Sequence, residues 1–128
     1  MPEGAKALEV AKALRPALIL QDLTMPDADG MQLIRAYRGD VALAGTPVLV
    51  LSGRDDAETK ARAFEAGADD YVVKMPPAAE MAARIRHLVR VHRAEAERAR
   101  AALEVARSEL ELRALNEANV QLLEQERA

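Results

Sequence analysis

The sequence predicts an α/β domain built on a parallel sheet and followed by a long C-terminal helix. Three observations carry that prediction. Residues 17–22, 48–52 and 71–74 are short runs too continuously apolar for strands with one solvated face, which is the composition of buried parallel strands. Segments of helical period separate them, the alternation that places helices on both faces of a sheet. Beyond residue 92 there is no Gly or Pro, while Leu and Ala recur at helical spacing. Residues 1–92 therefore read as the α/β part and 93–128 as a helical stalk, expected to form a coiled coil continuous with the last helix of that part.

The totals narrow the function classes. At 128 residues the chain is sized for one domain with an appendage. Two Tyr, one Phe and no Trp leave the core to Ala, Leu, Val and Ile. A net charge of −3 argues against a general nucleic-acid or membrane-surface binder. There is no cysteine, hence no disulfide, thiol nucleophile or thiolate metal site. The N-terminus has no apolar signal region and no window approaches the length of a membrane span, so a cytoplasmic protein is expected.

Taken in order, Ala7, Val10, Ala11 and Leu14 form one face of an amphipathic helix that Arg15-Pro16 closes. The strand Ala17–Asp22 and an acidic loop, Met25–Asp29, follow. A second helix is expected from Gly30 to Arg38 with Met31, Ile34 and Tyr37 inward. Gly45-Thr46-Pro47 turns the chain into the strand Val48–Ser52. Asp55 or Asp56 is placed to cap the next helix, where Ala57, Ala61 and Phe64 share a face and Gly67 ends it. The strand Tyr71–Lys74 leads to Pro76-Pro77, and a long helical pattern begins at about Ala78.

Only three strands are visible, so Ala17–Leu20, apolar throughout, falls at a sheet edge where such a strand is normally blunted or covered. The sheet reads as incomplete on that side. Asp22, Ser52 and Lys74 close the three strands, and parallel strands end on one rim. A carboxylate nucleophile, a hydroxyl donor and a neutralising ammonium form a phosphoryl-transfer set.

In this order the motifs resemble those of the receiver domain of bacterial response regulators, which take a phosphoryl group from a sensor histidine kinase. Asp22-Leu23-Thr24-Met25-Pro26 with Asp29-Gly30 is similar to the family's phosphoacceptor strand and loop. Val48–Ser52 matches its strand ending in Ser or Thr, and Gly67-Ala68-Asp69-Asp70-Tyr71 with Lys74 its last strand. The resemblance implies a partial flavodoxin-like, doubly wound sheet with Asp22 as phosphoacceptor. Ser52 and Tyr71 become the switch residues, Lys74 the phosphoryl-contacting base, and Asp22 and the Thr24 backbone carbonyl ligands of Mg²⁺. Receivers begin with a strand carrying an acidic pair, then a helix and an edge strand. This sequence starts after all three, so the Mg²⁺ site the family uses is expected to be incomplete. An in-frame strand ending in two acids, encoded upstream of Met1, is the alternative expectation. Asp69 and Asp70 precede a strand and belong to the opposite rim.

Most receivers place Pro directly after this Lys, often through a cis bond; here Met75 intervenes before Pro76. With Leu20-Gln21-Asp22 and Ala36-Tyr37-Arg38-Gly39, that spacing resembles the Wsp-type surface-sensing regulators. Their receiver is joined through a helical stalk to a GGDEF diguanylate cyclase domain.

Met81, Ile85, Leu88 and His92 continue an amphipathic face, and the pattern runs unbroken to about residue 127. A heptad places Val105, Leu112 and Asn119 at a, and Ala101, Ser108, Leu115 and Leu122 at d. An Asn at a sets register and dimer state, so Leu112, Leu115, Asn119 and Leu122 are the candidate register residues of a homodimer. A second stripe, Leu103, Leu110 and Val120, is offset from it. The basic residues Arg84, Arg86, Arg90 and Arg93 read as a solvated face or salt-bridge partners, with nucleic acid the lesser expectation. His87 and His92 fall on different faces, which disfavours a metal pair. The expected function is a receiver module of a two-component phosphorelay, coupled to a dimerising stalk that regulates a diguanylate cyclase output. The alternative is a degenerate, non-phosphorylated receiver acting as a dimerisation scaffold. No enzymatic activity is expected of the chain itself beyond accepting a phosphoryl group.

Overall fold

The computed structural model describes residues 3–23 and 29–127, with the side chains of residues 6–23 and 30–127. The element order is α1 (Glu3–Leu14), β1 (Ile19–Asp22), α2 (Asp29–Gly39), β2 (Val48–Ser52), α3 (Ala57–Ala66), β3 (Asp70–Val73) and α4 (Ala78–Arg127). The strands form one parallel sheet in the order β1-β2-β3. This is the parallel α/β arrangement with a long C-terminal helix that the apolar runs predict. The chain divides into two units, Met1–Arg93 and Ala94–Ala128.

In the first unit β2 is central and almost wholly buried; Val48, Leu49 and Val50 are each 0% exposed. Alternation along the strand sends its side chains to two cores. Val48 and Val50 join Ile34, Tyr37, Leu43, Ala63, Ala66, Ala68 and Tyr71, with Leu8, Ala11 and Met31 packed around them. Leu49 joins Val72 and Leu88, with Leu18, Leu51, Met81 and Ile85. Helices α2 and α3 thus cover one face, and the first turns of α4 cover the other.

Two predicted helix faces are corrected. In α1, Ala11 packs inward together with Leu8, whereas Val10 and Leu14 stay 47% and 72% exposed. Those two line an open apolar groove with Leu18, Ile19 and Tyr37, because β1 is an edge strand and nothing among the described residues lies over that side. In α3 the buried residues are Ala63 and Ala66, while Ala57 and Ala61 are exposed and Phe64 is 47% exposed. The small side chains let this helix lie close on the sheet, and the bulkier Phe64 points away.

Local chemistry sets the helix ends. Arg15 adopts a left-handed φ of 48° and its N–H donates to the Ala11 carbonyl at 2.9 Å, ending α1 before Pro16. Asp56 is the N-cap of α3, its carboxylate accepting from the Thr59 N–H at 2.9 Å. Gly67 ends α3 at φ 121°, a conformation that favours glycine. Its N–H donates to Phe64, and the Ala68 N–H to Ala63. The Lys74–Met75 peptide bond is cis.

Candidate functional site

The register places all three strand ends on one rim: Asp22 lies opposite Leu51, and Ser52 opposite Val73. Two backbone bonds continue the pairing beyond the strands. The Leu23 N–H donates to the Leu51 carbonyl at 3.0 Å and the Lys74 N–H to the Ser52 carbonyl at 2.7 Å. Asp22 and Lys74 are thereby aimed at each other across the end of β2. The Lys74 Nζ donates to Asp22 Oδ2 at 2.6 Å, a charge-assisted bond. The Asp22 side chain remains 45% exposed and that of Lys74 26%, so a solute can reach the carboxylate.

Ser52 and Tyr71 both engage Arg54, in the segment between β2 and α3. Ser52 is 1% exposed and its Oγ accepts from the Arg54 N–H at 3.1 Å. The Tyr71 hydroxyl donates to the Arg54 carbonyl at 2.6 Å. The Lys60 Nζ lies 6.0 Å from the centre of the Tyr71 ring. Its ammonium is hydrogen-bonded to Asp55, which raises its pKa above the ordinary lysine value. Asp22 and Lys74 thus meet directly, Ser52 lies at the end of the strand between them, and Tyr71 is tied one peptide further along. Thr24, and loop residues 25–28, lie outside the described residues.

Mg²⁺ requires a near-octahedral oxygen shell, commonly one or two carboxylates with carbonyls and waters. Among the described residues no group of three Asp, Glu, His or Cys side chains is placed to hold a metal. The described residues contribute the Asp22 carboxylate, and that alone does not make such a shell.

The opposite rim holds a network that sequence reasoning missed. Arg38, on α2, donates from Nε to the Gly67 carbonyl at 2.7 Å. From Nη1 it donates to the carbonyls of Ala44 (2.9 Å) and Thr46 (2.7 Å). Its Nη2 pairs with Asp69 Oδ2, which also accepts from the Val48 N–H at 2.7 Å. His92, expected as a packing or interface residue, brings Nε2 to 3.1 Å from Asp69 Oδ1 and Nδ1 to 3.2 Å from the Gly45 carbonyl. Asp70 holds Arg84 at 2.9 Å, and this bond, with that to Glu80, pushes the guanidinium pKa up. Both acids are thus occupied structurally. The only sequence signal was the pairing of a lone basic residue on a buried helix face with an acid before a strand.

The chain is thus an α/β module whose parallel sheet brings a carboxylate, a hydroxyl and an ammonium to one rim. Residues 1–86 match the response regulator receiver domain family, and the chain belongs to that family. The cell cycle transcriptional regulator CtrA of Caulobacter vibrioides is 40% identical over 87 residues, 68% of this chain and 37% of that protein. The chain thus spans well under half the length of such relatives. The BeF3-activated N-terminal receiver domain of Klebsiella pneumoniae RstA superposes with a TM-score of 0.61 at 36% identity, covering 70% of this chain and 74% of that one. The receiver domain of the Pseudomonas aeruginosa sensor histidine kinase PA1611, with magnesium in its active site cleft, shares the fold. Its TM-score is 0.60 at 24% identity, over 67% of this chain and 70% of its own. No helix among the described residues is long and apolar enough to cross a membrane.

Proposed function

We propose that this chain is the phosphoacceptor part of a cytoplasmic two-component relay, with Asp22 as the acceptor and a sensor histidine kinase as its donor. The observation that carries the reading is the solvent-reachable Asp22 carboxylate bonded to Lys74 at the rim where β1, β2 and β3 end. A carboxylate oxygen attacks the phosphorus of a phosphohistidine. The P–N bond breaks with its electron pair going to the imidazole, which takes a proton from solvent, and an acyl phosphate is left on Asp22. Lys74 offsets the added charge and the Ser52 hydroxyl donates to a phosphoryl oxygen. Tyr71, through Arg54, reports the change. Mg²⁺, which receivers typically bind, is assigned to Asp22 and the Thr24 carbonyl; the described residues leave its shell unfilled, and no step is routed through it.

The domain division follows the same reading: residues 1–92 as receiver and 93–128 as stalk, with homodimerisation through the seam of Leu112, Leu115, Asn119 and Leu122. The Lys74-Met75-Pro76 spacing and the unbroken α4 favour a Wsp-type regulator whose output is a GGDEF diguanylate cyclase. CtrA, by its name, is instead a transcriptional regulator. Among the described residues only the Asp22 carboxylate is offered to a metal at this rim, which favours a second reading, a non-phosphorylated scaffold.

The deciding experiment is incubation of the chain with acetyl phosphate and Mg²⁺, beside an Asp22→Asn control, read by intact mass. A phosphoryl adduct on the parent chain and none on the control supports the relay. No adduct on either, with an oligomeric state indifferent to beryllofluoride in sedimentation, leaves the scaffold.

A further inference from the structure

The second unit has an apolar seam with no cover. In α4 beyond Arg93, Val105, Leu112, Leu115 and Leu122 are 59–66% exposed, and so many exposed Leu on one face mark a contact surface. They share their face with Ala101, Ser108 and Asn119, at alternating spacings of four and three, the signature of a helix-pairing seam. The opposite stripe, Leu103 and Leu110, is equally open but is interrupted by Glu117 and Glu124. The first seam is free of charged residues from Ala101 to Leu122.

The polar residues on that seam suit a second copy of it, and the charges beside it set the orientation. In a parallel, in-register pair of copies, the flanking g and e positions bring Glu104 against the partner's Glu109, once on each side. Like charges at these positions repel. Glu111 is hydrogen-bonded within its own helix by Arg107 at 3.3 Å, whereas neither Glu104 nor Glu109 has an ion pair among the described residues. Reversing one helix about a two-fold axis between Arg113 and Ala114 changes every layer. Val105 then meets Leu122, Leu112 meets Leu115, and the two polar positions, Ser108 and Asn119, meet each other. A hydroxyl against an amide satisfies both groups, as the like pairs Ser108–Ser108 and Asn119–Asn119 also do in the parallel register, so the flanking charges decide the orientation. On the flanks, Glu109 faces Asn116 and Glu104 faces Gln125, so each carboxylate gains an amide donor and the like-charge contact disappears.

We propose that the helix beyond Arg93 pairs antiparallel with a second copy of this chain, in the register Val105–Leu122, Ser108–Asn119 and Leu112–Leu115. This deepens the homodimer reading and rests on it. The chain contains no cysteine, so single-cysteine variants of the full chain report the register directly. All the altered positions are exposed, and folding of the first unit is not at stake. Under mild oxidation Val105→Cys mixed with Leu122→Cys gives the heterodisulfide, while neither variant alone cross-links to itself. Efficient self-linking of Leu122→Cys alone overturns the orientation and leaves the dimer standing. A chain that sediments as a monomer at every concentration, with no cross-link in any mixture, overturns both. Independently of disulfide geometry, Glu109→Lys turns two repulsive contacts attractive in the parallel arrangement, tightening the dimer on the order of tenfold. In the antiparallel arrangement it removes the Asn116 contact and the dimer does not tighten, and tightening refutes the proposal.

Discussion

Asp69→Ala is the most informative single perturbation of the fold, because one carboxylate there serves three elements: the backbone of β2, Arg38 of α2 and His92 of α4. Its Oδ2 is the acceptor for the Val48 N–H, at the head of the central strand, where Val48 is 0% exposed. Leaving a buried backbone N–H without an acceptor costs about 2 kcal/mol. The same atom holds Arg38. Arg38 keeps the carbonyls of Gly67, Ala44 and Thr46 after the change, and the pair is partly reached by solvent, so that contact adds only about 1 kcal/mol. The expected loss is therefore about 3 kcal/mol. Asp69→Asn preserves an acceptor oxygen for Val48 and loses mainly the charge, costing about 1 kcal/mol. Urea unfolding followed by circular dichroism reads both as a fall in midpoint at unchanged slope. If Asp69→Ala lies within about 0.5 kcal/mol of the parent chain, the claim that this acid anchors the sheet is wrong.

Three further outcomes follow from single positions. Gly67→Ala forces a side chain onto a φ of 121° and into the Arg38 side chain, so stability falls by about 1–3 kcal/mol, read by the same urea titration. Burial raises the Tyr37 pKa above its ordinary value of 10.0. The folded state then holds its proton more tightly than the unfolded chain, so the contribution is full below pH 10 and is lost as pH rises through the folded pKa. Tyr37→Phe flattens that alkaline limb of stability against pH. The Thr59 hydroxyl and N–H, in that order, lower the Asp56 pKa below 3.8. That contribution is present above the unfolded value and disappears as pH falls through the folded one. Asp56→Ala therefore lowers the thermal midpoint at pH 7 more than at pH 2.5, and equal shifts at both would refute the cap's charge dependence.

How much was legible depended on the range of the interaction. Val48–Ser52 was readable to the residue, because a strand buried on both faces needs apolar side chains at every position. The strand β1 begins at Ile19, two residues later than its apolar run, since pairing starts where the Ile19 N–H reaches the Pro47 carbonyl at 2.8 Å. The α3 face was misread because Phe64 outweighs Ala63 and Ala66 in hydrophobicity, although small size is what close packing on a sheet selects. The rim of Asp22, Ser52 and Lys74 was legible once the strands were found, since strand ends dictate it. The network of Arg38, Asp69 and His92 was not. It joins residues 31 apart between Arg38 and Asp69 and 47 apart between Gly45 and His92, and no local pattern encodes such a pairing.

The two switch candidates are coupled by a single residue rather than by contact with each other. Ser52 holds the amide of Arg54 and Tyr71 holds its carbonyl. In the proposed relay the Ser52 hydroxyl turns to donate to a phosphoryl oxygen on Asp22. Donating does not cost the hydroxyl its lone pairs, so the Arg54 backbone loses this tether, one of its two, where Oγ itself moves toward the phosphoryl group. The Tyr71 hydroxyl, at 2.6 Å from the carbonyl of that same residue, must follow or lose its acceptor. In that relay Lys74 shifts in the same event, because an ammonium bonded to Asp22 Oδ2 in the resting state gains more from the added phosphoryl charge than from the now uncharged acyl group of the acyl phosphate. A charge placed on β1 thus reaches the segment after β2 and the ring on β3 through one backbone residue, with no displacement of the sheet required.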